Sequence, residues 1–168
     1  AAYSDEWLAY IQYLVGAQMA VGLGRQGLVE EMEEHAKEEL EHAEKLAKRI
    51  IQLGETPIIE PKDWYKYSTC GYLTPSDPRV EVLLAQNIAG ERCAINVYNE
   101  LIKLVKDKDL ITYKMLVSIL EDEIDSIQPM TSLFEQSLLL FGDIVAKMII
   151  DQREIELKSL WRYHANLE

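Results

Sequence analysis

The chain has 168 residues, 48% of them hydrophobic, and a formal net charge of −12 at pH 7. That length suits one domain with a sizeable core, and that charge disfavours a basic nucleic-acid interface while favouring cations. Apolar runs too short to span a bilayer, an opening Ala1-Ala2-Tyr3-Ser4 that leads straight into an amphipathic pattern, and only two cysteines (Cys70, Cys93) make a cytoplasmic protein the expectation.

A first helix is predicted from about Ser4 to Leu23, ended by Gly22, Gly24 and Gly27. Its apolar stripe is Trp7, Leu8, Ile11, Leu14 and Val15. Glu6, Tyr10, Tyr13 and Ala17 follow a neighbouring line. Taken alone, Glu6 is a first-turn acid that suits the helix dipole.

The second helix, about Gln26 to Leu53, stops at Gly54 with Pro57 beyond. Leu28, Met32, His35, Glu39, His42, Leu46, Ile50 and Leu53 fall three or four apart and share one face. Leu, Met and Ile at both ends mark that face as buried, yet its middle holds His35, Glu39 and His42. An ionised carboxylate is too costly to bury alone, so it is paired, protonated or metal-bound. Glu39 and His42, at i and i+3, can reach one ion from adjacent turns. His35 reads as a hydrogen-bonded core or interface histidine, with an accessory metal site as the alternative. Glu30, Glu31, Glu33, Glu34 and Glu38 read as a solvated face, part of which would line an inner wall or cation pore in a hollow assembly.

A connection of roughly two dozen residues follows, carrying Pro57, Pro61, Pro75 and Pro78 with Trp64, Tyr65, Tyr67 and Tyr72. Its length and aromatic content predict a structured crossover that packs down. Asp77-Pro78 reads as N-cap and first-turn proline of a third helix that runs to about Lys106. Its seam is Leu84, Asn87, Glu91, Ala94, Tyr98, Leu101 and Val105. Lys108-Asp109 opens a fourth helix with the seam Tyr113, Leu116, Leu120, Glu123, Ile127, Met130, Phe134, Leu138 and Phe141. Pro129 is expected to kink or break it, and Gly142 to end it. A last helical pattern carries Val145, Met148, Ile149, Gln152 and Leu160, with His164 exposed in the tail. The expected division is a four-helix bundle over 1–142 and a C-terminal helical extension of the same domain over 143–168, suited to an assembly contact.

Four long helices with one long crossover between the second and third fit an all-α bundle of ferritin type, in which the crossover lets those two helices run parallel. Helices of roughly 20 to 28 residues are ~30–40 Å long, so acids at mid-seam of three helices meet at one level. Several buried acids at one level repel unless cations neutralise them. Carboxylate and imidazole donors suit iron or manganese, with zinc as a further fit.

The sequence resembles the ferritin superfamily, in particular its Dps-like branch, the thioferritins. The resemblance rests on Glu6-Trp7-Leu8-Ala9-Tyr10-Ile11-Gln12-Tyr13, Ala36-Lys37-Glu38-Glu39-Leu40-Glu41-His42-Ala43, Gly90-Glu91-Arg92-Cys93-Ala94 and Ile119-Leu120-Glu121-Asp122-Glu123, and covers about residues 3–128. The first stretch is also similar to bacterioferritin, whose ligand Glu precedes a Tyr near the metals by seven residues. The resemblance implies Glu6 as a terminal ligand, Glu39 and Glu123 as bridges between two metals, His42 and Glu91 as the remaining ligands, and Tyr13 beside them. Glu39, Glu123 and Tyr13 are the implied catalytic residues. The family expects a second Glu-x-x-His on the fourth helix. Here Ser126 stands three residues after Glu123, and a hydroxyl replaces imidazole poorly. The second metal position should therefore be weaker or completed by water, unless Asp122 or Asp125 shifts in. Cys70 and Cys93 are two unrelated buried thiols on a plain reading. The branch carries a cysteine pair in these places, which implies a redox-active disulfide beside the metals; bridging needs Cα atoms within ~7 Å.

These implications define an expected ferroxidase that oxidises Fe(II), preferably with hydrogen peroxide, and stores ferric product in a homo-oligomeric cage of twelve subunits. The expected metal is iron, two per subunit if the site is complete, and no haem is implied. The alternatives are a peroxidase or manganese catalase-like bundle without storage, and a structural metal-binding bundle whose chemistry Ser126 has weakened. DNA condensation is disfavoured by the charge and by the lack of a basic arm.

Overall fold

The structure is a computed structural model that describes the backbone of residues 1–164 and the side chains of residues 1–152. Its helices are α1 (Ala2–Met19), α2 (Arg25–Gln52), α3 (Pro61–Tyr67), α4 (Val80–Val105) and α5 (Leu110–His164), with no strand among the described residues. Short turns join α1 to α2 and α4 to α5, and these two hairpins pack into a four-helix bundle. The crossover between α2 and α4 contains α3, which opens with Pro61 in its first turn, where a missing N–H costs nothing.

The core is apolar at both ends and polar in the middle. One cluster holds Tyr13, Ala17, Leu28, Met32, Ala36, Leu83, Leu84, Ile88 and Met130. The other holds Ala2, Leu46, Tyr98, Leu116 and Ile119. On every long helix an acid falls between a member of each: Glu6 between Ala2 and Tyr13, Glu39 between Ala36 and Leu46, Glu91 between Ile88 and Tyr98, Glu123 between Ile119 and Met130. The four acids thus share one level, held there by apolar packing above and below.

The helix ends follow local chemistry. Gly54, at φ 87°, closes α2: its N–H bonds Ile51 O at 3.0 Å and that of Glu55 bonds Ile50 O at 3.1 Å. Asp109 opens α5, its Oδ1 accepting from the N–H groups of Ile111 and Thr112 at 3.1 and 3.0 Å while Arg49 holds Oδ2 at 2.7 Å.

Several expectations need correction. α1 buries the Glu6, Tyr13 and Ala17 line, whereas Trp7, Ile11, Leu14 and Val15 are only half-buried, because the acids occupy the bundle centre and displace the aliphatic stripe to the flank. α4 begins at Val80 and not at Asp77-Pro78: Arg79 is extended, and the Pro78 carbonyl accepts from Val21 N–H at 2.8 Å. Neither Pro129 nor Gly142 ends the fourth helix. Pro129 is exposed, so the carbonyl its missing N–H frees, that of Asp125, can turn to water. Gly142 lowers helix propensity without forcing a stop. The fourth and last predicted helices are therefore one helix of 55 residues, about 80 Å long. From Leu138 onward this helix exposes large apolar residues, with Leu139 71% exposed. The expected roles of Leu160 and His164 lie outside the described side chains. Among the described residues no helix is long and apolar enough to cross a membrane.

Candidate metal centre

Glu6 from α1, Glu39 and His42 from α2, and Glu123 from α5 each bring one ligand atom within 4.8 Å of all the others. All four are buried, Glu6 and Glu123 at 1% exposure. His42 Nδ1 lies 3.1 Å from Glu123 Oε1, 3.4 Å from Glu6 Oε2 and 3.9 Å from Glu39 Oε2. Despite this closeness, Glu6 Oε2, His42 Nδ1 and both oxygens of Glu123 form no hydrogen bond. Unpaired buried acceptors are costly, and these are directed at a shared point rather than at one another. A divalent cation at that point satisfies the set: three carboxylates and one imidazole are donors for iron, manganese or zinc.

Outer contacts hold these donors in place. Asp122 Oδ2 accepts from His42 Nε2 at 3.0 Å, which makes Nδ1 the nitrogen that would face a metal once its proton leaves. Lys45 steadies Asp122 from 3.5 Å. The Tyr98 hydroxyl donates to Glu6 Oε1. Sequence reasoning treated Asp122 as a substitute ligand and Tyr98 as packing. Tyr98 sits seven residues after Glu91 on the α4 seam, which was the available signal. Asp122 carried none, since it lies off the α5 seam.

Glu91 stands apart from the foursome. It is buried against Glu123 and accepts a hydrogen bond from the Tyr13 hydroxyl, in the position expected for Tyr13. Ser126 does not face the acids: its hydroxyl donates to the Asp122 carbonyl at 2.9 Å and approaches Glu38 Oε2 at 3.5 Å. Asp125 is exposed and does not shift in. The structure therefore gathers Glu6, Glu39, His42 and Glu123 into one group, with Glu91 beside Glu123 and Ser126 turned away.

The electrostatics agree with a site that awaits cations. Burial pushes the carboxyls of Glu39, Glu91 and Glu123 above their usual range, and mutual repulsion among the acids adds to it. Burial disfavours the His42 imidazolium, yet the adjacent Glu123 and Glu6 outweigh it and raise its pKa to about 10. Burial and the Glu91 charge hold the Tyr13 phenol protonated, as its hydrogen bond requires.

The crossover closes over one side of this centre. Cys70 and Cys93 form a disulfide with Cα atoms 5.7 Å apart, tying the crossover to α4 two residues past Glu91. Asp5, next to Glu6, accepts from the Ser68 hydroxyl and from the N–H groups of Thr69 and Cys70 at 2.7 and 2.9 Å. Gln12 accepts from Leu73 N–H at 2.8 Å and donates to Asn87 at 3.0 Å. Trp64 of α3 stacks on Trp7, ring centroids 4.9 Å apart. A cavity of about 40 Å³ remains between the latch and the acids, reaching from Cys70 and Gly71 to Glu6, Glu39 and Glu91.

His35 is buried and hydrogen-bonded, as one sequence reading had it: Nε2 is 3.1 Å from Glu31 and Nδ1 3.0 Å from Glu38. Burial opposes its charge, but the bond to Glu38 and the Glu91 charge prevail and raise its pKa.

Comparison with known proteins places these features in a family. The ferritin family model, described as a ferritin-like domain, matches residues 1–138. A DNA protection during starvation protein of Pyrococcus furiosus is 31% identical over 126 residues, 74% of this chain and 68% of that protein. A dodecameric thioferritin, the bacterioferritin-related protein of Bacteroides fragilis, superposes with a TM-score of 0.82 at 37% identity, covering 84% of each chain. Dps of Thermosynechococcus elongatus shares the fold at a TM-score of 0.74 and 17% identity, over 78% of this chain and 83% of its own. With a family match over most of its length and a buried Glu/His cluster of the matching kind, the chain belongs to the ferritin-like domain family, on its Dps and thioferritin side.

Proposed function

We propose that the protein is a ferroxidase that takes Fe(II) into the carboxylate–histidine centre, oxidises it with hydrogen peroxide and keeps the ferric product inside a shell of its own copies. The observation that carries this reading is the convergence of Glu6, Glu39, His42 and Glu123 within 4.8 Å, with Glu6 Oε2, His42 Nδ1 and both Glu123 oxygens unpaired. Such a donor set favours the ion whose charge rises, because anionic carboxylates stabilise Fe(III) over Fe(II). Two Fe(II) give one electron each to one peroxide, whose O–O bond breaks and which takes up two protons to leave two waters. Glu39 and Glu123 border both positions, and Tyr13 fixes Glu91. The Cys70–Cys93 pair beside Glu91 can accept two electrons and two protons to become two thiols, so it fits a redox role next to the iron. Resident manganese or zinc suits the same donors and would compete for the first position.

The shell follows from two supports. The B. fragilis relative is dodecameric. Here Leu139, Phe141, Met148 and Ile150 leave the far half of α5 with an apolar surface that another copy would cover. The stretch 138–150 of α5 is accordingly the assembly element. The net charge of −12 disfavours binding to DNA.

The reading is checked by anaerobic Fe(II) titration followed by peroxide or dioxygen. About two irons per chain, faster oxidation by peroxide, and ferric product that co-elutes with a large oligomer are expected. Peroxide turnover without mineral would favour the catalase-like alternative, and absence of oxidation would reject the ferroxidase.

A further inference from the structure

The second metal position lacks a nitrogen donor on α5, yet it does not lack one nearby. Ser126 and His35 line the same cavity, about 270 Å³ in volume, together with Glu31, Glu38 and Asp122. Glu38 Oε2 spans the two, 3.5 Å from Ser126 Oγ and 3.0 Å from His35 Nδ1. His35 lies one turn before Glu39 on the buried face of α2, and its ring sits 5.3 Å from that of Tyr13, whose hydroxyl holds Glu91. Glu123, which uses Oε1 beside His42, has its second oxygen buried and unpaired. An oxygen in that state, next to Glu91, marks a place where a cation is due.

Both histidines of α2 have a carboxylate on a ring nitrogen, but His42 Nδ1 is unpaired while both nitrogens of His35 are bonded. His42 has Asp122 on one ring nitrogen and the acids of the centre at the other. His35 has Glu31 on one ring nitrogen and Glu38, toward Ser126, on the other. A carboxylate on the outer nitrogen is what a metal-binding imidazole needs to keep its ring oriented and its other nitrogen basic.

We propose that His35 supplies the imidazole that Ser126 cannot, so that the second metal position is completed from α2 instead of α5. Resting on the dimetal reading above, it makes His35 a ligand with Glu91, Glu39 and Glu123. On binding, the ring gives up one carboxylate partner to the ion and keeps the other. Glu38, on the nitrogen toward Ser126, is the partner released, Glu31 stays and orients the ring, and the cavity beside Ser126 gives it room to turn.

The experiment is Co(II) titration of the full-length, metal-free protein, followed by calorimetry and by the Co(II) visible spectrum, with circular dichroism to verify folding. The wild type should bind about two Co(II) per chain and His35→Gln about one, with the second affinity down by more than the 10–100-fold that an outer partner contributes. Glu31→Gln should weaken the second ion within that 10–100-fold range without abolishing it. Adding Ser126→His to His35→Gln should restore the second ion, which a merely misfolded variant would not do. The proposal is overturned if His35→Gln binds both ions as the wild type does, if Glu31→Gln alone removes the second ion, or if the wild type binds one ion that His35→Gln leaves untouched. In that last case the first position still stands. Failure of the wild type to bind any Co(II) would overturn the dimetal reading as well.

Discussion

On the α1 side of the centre, Glu6 is tied to Tyr98 and His42 to Asp122, and both present a free atom inward. On the α4 side, Glu91 is tied to Tyr13, but the facing turn of α5 offers a serine that bonds its own helix. The difference teaches that a metal position depends on the partners behind the donors as much as on the donors. The donors of the Glu6, Glu39, His42 and Glu123 group are held from behind by Tyr98 and Asp122, whereas in the second position proposed above Glu91 has Tyr13 behind it and α5 offers no nitrogen donor.

The largest way to break this comparison is to delete the first position's imidazole. His42→Ala should lower Co(II) affinity there by more than about 100-fold, whereas Ser126→Ala should change neither ion's affinity by more than about twofold. Calorimetric titration of both variants checks the pair, and equal effects would erase the asymmetry. Removing the partner and leaving the donor is the next step down. Asp122→Asn should weaken the first ion by about 10–100-fold, while the exposed Glu121→Gln should leave it unchanged. A silent Asp122→Asn would show that His42 is oriented by packing alone.

The latch affects both sides through stability. The disulfide spans 23 residues of sequence, so Cys93→Ser should lower unfolding free energy by about 3 kcal/mol on a chain-entropy estimate, read by denaturant titration. A smaller loss would mean that Asp5, Gln12 and the Trp7–Trp64 stack hold the crossover without it.

The smallest effect is a pH slope. Glu39, Glu91 and Glu123 have native pKa values raised above the ordinary 4.5, and His42 is raised from 6.5 to about 10. The metal-free native state therefore holds protons that the unfolded chain has released. Its stability from these groups is full below the unfolded pKa values and is lost as pH climbs through the native ones. The metal-free Tm should fall between pH 6 and 9, roughly, and metal uptake at pH 7 should release protons, measurable by calorimetry in buffers of different ionisation enthalpy. A Tm that rises over this interval would mean that the acids are already ionised and paired.

Much of the centre was legible in the sequence. Glu39, Glu91 and Glu123 each interrupt an apolar seam, and a polar residue in such a seam must be compensated inside the protein. Glu6 was legible only through its line with Tyr13 and Ala17, which the structure buries in preference to Ile11, Leu14 and Val15. Asp122 was not legible as a partner of His42, because its role depends on which helix faces which. The Cys70–Cys93 bridge was legible only through the family resemblance, which implied the pair, since spacing along the chain does not fix a Cα separation. The continuity of α5 was misread at Gly142 because glycine ends a helix when the chain adopts a left-handed turn there, as at Gly54, and not by composition alone.

The cavity between Cys70 and the acids, about 40 Å³, has room for only a few molecules the size of water. Cys70 and Gly71 form one wall of it and Glu6, Glu39 and Glu91 the other, so any displacement of the crossover changes the space beside the acids directly.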